Sequence, residues 1–238
     1  MSADNLSIKK ILSLHEKSGR LENGLFLIEG QREIDLAVRN GIKIVQILDS
    51  SNTSAKNLER ISYRGEIIAI AKIPKRSLAD WTVPPNPLIV VLDKLEKPGN
   101  IGAILRTADA VGADAVLVCD EIGDLYNPNL IRASLGAVFT RPVFSLSAGE
   151  AIKWLKKNKI KIAAADPYAQ QAHWQYDWSG GQALVIGSEA DGLSAVWQEN
   201  ADASVLIPMS GEVDSLNASV SAAVLLYEAK RRRNDPPL

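Results

Sequence analysis

Cysteine is almost missing from this chain. One, Cys119, occurs in 238 residues, which excludes a disulfide framework or a cysteine-built zinc site within a single chain. It falls in the apolar run AVLVCD and reads as a buried strand residue. No apolar run reaches the roughly 20 residues that a membrane helix needs, and the amino-terminal MSADNLSIKKILSLHEK lacks the uninterrupted apolar core of a signal peptide. A cytoplasmic protein without membrane contact is therefore expected. Internal repeats and low-complexity tracts are missing too. So is a strong charge: the formal net charge is −1, a poor signature for a nucleic-acid binder. The imbalance between halves is small, with 13 Lys and Arg against 10 Asp and Glu in residues 1–86, and 14 against 18 in residues 87–238.

What is present is an ordinary globular composition, 46% hydrophobic and 23% charged, with enough chain to bury a core. The three prolines of WTVPPNPL at 81–88 mark a linker, because proline stiffens the backbone and removes donors. Two domains follow, 1–86 and 87–238. In the first, SIKKILSLHEK reads as a helix, LFLIEG as a strand and REIDLAVRNG as a helix capped by Gly41. IKIVQIL is a strand, SAKNLERIS a helix and EIIAIA a strand, which makes a small α/β unit. In the second, LIVVLD, AVLVCD, KIAAAD, ALVIG and SVLIP are apolar runs of strand length between helical segments. Such continuous runs predict a parallel sheet covered on both faces. The lysines of IKWLKKNKIK at 152–161 fit a solvated face and the arginines at 231–233 a solvated helix end, with RNA contact by the arginines as the alternative.

Three segments break from strands into loops of small and polar residues. LDKLEKPGNIGAILRTADAVGAD passes through a Pro-Gly loop into a helix. Asn100 and Arg106 lie six positions apart, about 240° around a continuous helix, so they converge only if Asn100 precedes the helix. Arg106 interrupts an apolar stretch and needs a reason to be there, which a structural salt bridge would supply. ALVIGSEADGLS at 183–194 follows a strand with Glu189 between two glycines, whose freedom lets backbone approach a ligand; a surface turn would explain it equally. VLIPMSGEVDSLNASVSAAVLLYE at 205–228 leaves a strand at Ile207, crosses a polar loop and enters a helix at about Asn217, a residue suited to cap it. These loops sit at carboxyl ends of sheet strands, where α/β folds bind small molecules.

The order and spacing of the three motifs, over roughly 88–233, resemble the SpoU (TrmH-type) RNA ribose 2′-O-methyltransferases of the SPOUT superfamily. The resemblance implies an α/β methyltransferase domain with a mostly parallel sheet and a trefoil knot, an exception to unknotted chains. It implies an S-adenosylmethionine pocket formed by Gly187, Ile207, Met209 and Leu216, and a catalytic centre of Arg106, Asn100, Glu189, Ser215 and Asn217. Glu189 could pair with Arg106 and hold its guanidinium. DLYNPNLIRASLGAVFTRPV at 124–143 also resembles the family, with Arg132, Ser134 and Gly136 on or just after a helix behind the first motif. There Asn129 and Arg132 could contact RNA phosphate or ribose, or merely brace and end a helix. LFLIEGQREIDLA at 25–37 looks like the FxxEGxxxxxxA pattern of ribosomal-protein-like RNA-binding domains that precede many family members. The implied partners are ribosomal or transfer RNA and a second copy of the chain in a homodimer, with no metal.

The expected activity is methyl transfer from S-adenosylmethionine to a ribose 2′-hydroxyl. A guanidinium is a poor base near neutral pH. Arg106 is therefore weighed equally as a charged group that binds phosphate and stabilises developing alkoxide, with Glu189 or a phosphate oxygen taking the proton. One alternative is an inactive RNA-binding protein of the same fold. Another, a dinucleotide-dependent oxidoreductase, lacks a G-x-G-x-x-G fingerprint.

Overall fold

The apolar runs close into two separate sheets in the computed structural model, which describes residues 6–63, 67–120, 124–189 and 191–234. The chain forms two compact units, Met1–Lys75 with Gly123–Thr140, and Arg76–Ile122 with Arg141–Leu238.

The first unit contains helices α1 (Ile8–Ser13) and α2 (Lys17–Asn23), strand β1 (Leu25–Glu29), α3 (Gln31–Arg39), β2 (Ile44–Leu48), α4 (Ala55–Ile61) and β3 (Ile68–Lys72). The strands form an antiparallel sheet in the order β1-β3-β2. Alternation along β1 divides its side chains between two layers. Leu25 and Leu27 join Ile11, Leu14, Leu58 and Ile61 on one face, while the Phe26 ring meets Tyr126 and Phe139. Gly41, at φ 76°, follows α3 as expected.

SIKKILSLHEK is not one helix. It stops at Ser13, and α2 starts afresh at Lys17. The Arg20 guanidinium explains the break: Nη1 donates to the carbonyls of Leu14 at 2.6 Å and His15 at 2.7 Å, which a continuous helix would have used itself. Nε donates to Asp124 at 2.6 Å, and Arg20 is only 1% exposed.

The second unit runs β4 (Leu88–Asp93), α5 (Pro98–Val111) and β5 (Ala115–Cys119). The chain then supplies α6 (Pro128–Ala133) and α7 (Ala137–Thr140) to the first unit. It continues as β6 (Val143–Leu146), α8 (Ala148–Lys157), β7 (Lys161–Ala165), β8 (Gln171–Ala172), β9 (Gln182–Ile186), α9 (Ala195–Asn200), β10 (Ala203–Leu206) and α10 (Ala218–Asn234). Seven strands pair in the order β6-β5-β4-β9-β7-β10-β8, and every pairing is parallel. The five expected strands are present; β6 and β8 were missed because they are short edge strands with little continuous apolar character. Ile89, Val91, Ala115 and Leu117 face a layer with Ala151 and Leu155 of α8, while α10 packs on α5 and β9. Cys119 is fully buried, and desolvation pushes its thiol well above the ordinary range.

Trp81, expected in a linker, stacks on Trp154 and meets Phe144 in the second unit. Segment 128–140 packs on elements of the first: α6 on β1 and α7 on α3. Gly136, at φ 80°, has so little room that a Cβ would lie 3.0 Å from Leu36. Among the described residues no helix is long and apolar enough to cross a membrane. Arg20→Met should leave Asp124 without its charged partner and cost about 3 kcal/mol, read as a lower midpoint in denaturant-induced unfolding.

Candidate cofactor pocket and catalytic junction

Because β7, β9 and β10 run parallel, the loops at their carboxyl ends emerge on one edge of the sheet, where open α/β folds bind ligands. They enclose a cavity of about 600 Å³ in the second unit, within the usual range for small-molecule sites. Gly187, Ile207, Met209 and Leu216 all line it, together with Glu189, Ser215 and Asn217. Asp166, Pro167, Tyr168 and Gln198 also line it and were not anticipated. DPY directly after the apolar run KIAAA was the signal available for the first three, since it is a third loop at a strand end.

The loop after β9 is tied tightly. Ser188 N donates to Gly192 O at 3.0 Å and Gly192 N to Ser188 O at 3.1 Å. At its far end Ser194 N donates to the fully buried Asp93 at 2.7 Å. A Cβ on Gly187 would sit 2.4 Å from the Gly192 carbonyl carbon and oxygen, so only glycine fits this crossing.

At the mouth of the cavity the three motifs meet on Glu189. Its carboxylate accepts from the Lys97 ammonium, from Asn100 Nδ2 at 2.6 Å and from Asn217 Nδ2 at 2.5 Å. Asn217 Nδ2 also reaches Asn100 Oδ1 at 3.3 Å, while its Oδ1 accepts from Ser219 N at 3.0 Å and caps α10. Capping and site assembly thus use opposite ends of one amide. The Lys97 hydrogen bond, followed by that of Asn100, holds Glu189 below the ordinary carboxylate range against a small desolvation penalty. Its folded-state value is depressed, so the anion and its contacts persist at neutral pH and are lost only as pH falls through that lowered value.

Two expectations about the first motif need correcting. Asn100 does not precede the helix; it is the third residue of α5, after Pro98 at the first position. Asn100 and Arg106 therefore point about 120° apart. The pairing of Glu189 with Arg106 is not formed either, because Lys97 and the two asparagines take the carboxylate. Arg106 is exposed, makes no hydrogen bond or ion pair among the described residues, and is not in the cavity wall. Ser215 is exposed beside Leu216 at the cavity rim.

Asn129 and Arg132 belong to the first unit. Arg132 Nη2 donates to Asn129 Oδ1 at 2.5 Å, and Gly136 N closes the end of α6 on Ile131 O at 3.1 Å. The carboxyl-terminal arginines hold structure in place: Arg231 and Arg232 pair with Glu228, bringing its carboxyl down to about 2, and Arg233 donates to Gly180 O and Asn86 O.

The cavity carries Asp166, Glu189, Asp191 and Asp214, and no lysine or arginine among the described residues. Such a wall repels a pyrophosphate and attracts a cation, while Ile207, Leu216 and Leu225 offer apolar surface to a flat ring. Among the described residues no group of His, Cys, Asp and Glu could hold a metal ion.

Fold and site together define an α/β protein with an acid-lined cavity at the carboxyl edge of its sheet. The chain belongs to the SpoU rRNA methylase family, whose profile matches residues 87–227; an MRM3-like substrate binding domain matches residues 5–87. It is 33% identical over 216 residues to a 23S rRNA (uridine(2479)-2′-O)-methyltransferase of Streptomyces viridochromogenes, covering 87% of this chain and 75% of the relative. It is 27% identical over 247 residues to a 23S rRNA (guanosine(2553)-2′-O)-methyltransferase of Bacillus subtilis, covering 96% and 98%. The crystal structure of the SpoU methyltransferase AviRb from S. viridochromogenes with AdoMet superposes with a TM-score of 0.91 at 29% identity, covering 98% of this chain and 100% of that one. Gly187→Ala should abolish the thermal shift given by S-adenosylmethionine. Gly211→Ala, where a Cβ meets nothing within 4 Å, should keep it.

Proposed function

We infer that this protein is an S-adenosylmethionine-dependent RNA ribose 2′-O-methyltransferase. The observation that carries this reading is the meeting of three motif segments on Glu189 at the mouth of an acidic cavity, in a chain of the SpoU family. S-adenosylmethionine bears a sulfonium and an ammonium, which suit a wall that carries Asp166, Asp191 and Asp214 beside the Lys97-paired Glu189. When bound there it supplies a methyl group already activated by positive sulfur, so what the chain must provide is alignment and charge.

Gly187, Ile207, Met209 and Leu216 hold the adenosyl end. Glu189 fixes Asn100 and Asn217 at the rim, and Ser215 beside them meets the acceptor ribose. Glu189 already accepts from three side chains with a lowered proton affinity, so it serves as an anchor rather than a base. Arg106, exposed and without an internal partner, is available to RNA: it grips the phosphate next to the acceptor and offsets negative charge growing on the 2′-oxygen. As the methyl–oxygen bond forms and the sulfur–methyl bond breaks, the hydroxyl proton passes by way of an RNA phosphate oxygen to water. Ribosomal RNA is the favoured acceptor class, since the two relatives are named for 23S rRNA; transfer RNA is the second. The insertion of β9 and β10 among earlier strands supports a trefoil path for the carboxyl-terminal segment.

A homodimer belongs to the same reading. α10 buries Ala222, Leu225, Leu226 and Ala229, yet leaves Val220 47% and Tyr227 54% exposed. With the half-buried Val224 these lie at i, i+4 and i+7, one apolar stripe suited to a second copy. An interface of order 2,000 Å² would cover it.

Arg106→Ala should abolish methyl incorporation into RNA while S-adenosylmethionine affinity stays within about twofold by calorimetry, the size of effect expected where a residue acts only on the acceptor. An equal loss of both sinks the assignment. Light scattering at low micromolar concentration should give twice the 25.7 kDa chain mass. The double variant Val220→Asp, Tyr227→Asp should be monomeric and inactive; an active monomer contradicts the dimer.

A further inference from the structure

The first unit contains one aromatic that its core does not use. Tyr63 is 83% exposed, yet it is held in place. Its backbone N–H donates to Glu29 Oε2 at 3.0 Å, and the neighbouring Ser62 hydroxyl donates to the same oxygen at 3.0 Å. The Glu29 side chain is only 7% exposed. Above the ring lies Arg132, whose Cζ is 4.7 Å from the centroid. Arg132 is itself fixed, with Nη2 on Asn129 and Nη1 3.9 Å from Glu29 Oε2. Glu29 is the acid of the FxxEG pattern, and its place in the structure gives that motif a physical role, because one buried carboxylate sets both the backbone of Tyr63 and the guanidinium over its ring.

An exposed ring held this firmly exposes apolar surface to water without any gain in core packing. With Arg132 over one face and most of the ring exposed to solvent, it offers a stacking surface whose backbone is already fixed before a ligand arrives. Unpaired nucleobases stack on such rings and on guanidinium planes. Arg132 has one terminal nitrogen hydrogen-bonded to Asn129 and the other facing the Glu29 carboxylate at 3.9 Å, so it is better placed to back the ring than to fork a phosphate. We propose that Tyr63, backed by Arg132 and positioned by Glu29, is a stacking platform for one unpaired base of the substrate RNA, outside the residues that hold the methyl donor. This inference rests on RNA being the substrate.

The test is methyl incorporation from radiolabelled S-adenosylmethionine into total RNA from cells lacking the gene, using the full chain. Tyr63→Ala should raise KM for RNA about tenfold, consistent with the loss of one base–aromatic stack, with kcat and S-adenosylmethionine affinity unchanged. Tyr63→Phe and Tyr63→Trp should remain near wild type. Glu29→Gln should raise the same KM, and adding Tyr63→Ala to it should give less than the product of the two single effects, since both act through one ring. An unchanged KM in Tyr63→Ala overturns the platform, as does a Phe variant as weak as the Ala variant. A wild-type protein that labels no RNA overturns the substrate assignment itself, and the platform with it.

Discussion

The site depends on one carboxylate. Glu189 comes from the loop after β9, Lys97 and Asn100 from the start of α5, and Asn217 from the start of α10, and the Glu189 oxygens accept from all of them. Two helix beginnings supply the donors, and helix beginnings favour negative charge through their unpaired N–H groups. Glu189 also gains from the backbone N–H of Ala218. The anion is thus stabilised by the same elements that it joins. Without it, Asn217 would still cap α10 and keep the 3.3 Å contact of its Nδ2 with Asn100 Oδ1, but the shorter bonds that tie both amides to the loop after β9 would be lost.

Strand identity was legible because parallel strands covered on both faces have little choice of composition: LIVVLD, AVLVC and ALVI can hardly be anything else. β6 and β8 escaped because edge strands of two to four residues share neither that length nor that burial. The helix break after Ser13 was illegible for a different reason. It depends on Arg20 reaching back to two carbonyls and across to Asp124, a long-range contact that no local pattern records. The same holds for Arg106. Spacing alone posed the question of whether it joins Asn100, and the answer turned on where α5 starts. Pro98 at its first position draws Asn100 into the first turn and turns Arg106 elsewhere.

Charge carries the choice of ligand further than shape does. A cavity of this size at the edge of an α/β sheet could take many small molecules. Four acids, with Lys97 paired to Glu189 at the mouth, restrict it, since burying a phosphate among carboxylates adds repulsion to desolvation. Net charge gave no hint of this. At −1 for the chain and near balance in each half, the useful asymmetry is local: acids gather around the cavity while Arg106 stands unpaired.

The two family matches meet at residue 87, whereas the compact units do not divide there. Residues 128–140 lie within the methylase match, yet Leu130, Ile131, Val138 and Phe139 are buried, and Phe139 meets Phe26. The backbone therefore passes between the units three times, near 75, 122 and 140. A single linker would leave the two units to vary independently in sequence and stability. Three crossings make the core of the first unit depend on a helix and a turn supplied from between β5 and β6. The Arg20–Asp124 and Arg132–Glu29 contacts both lie within the first unit, yet join segments on opposite sides of the family boundary. The substrate-binding unit is, in this sense, completed by the methylase sequence rather than merely attached to it.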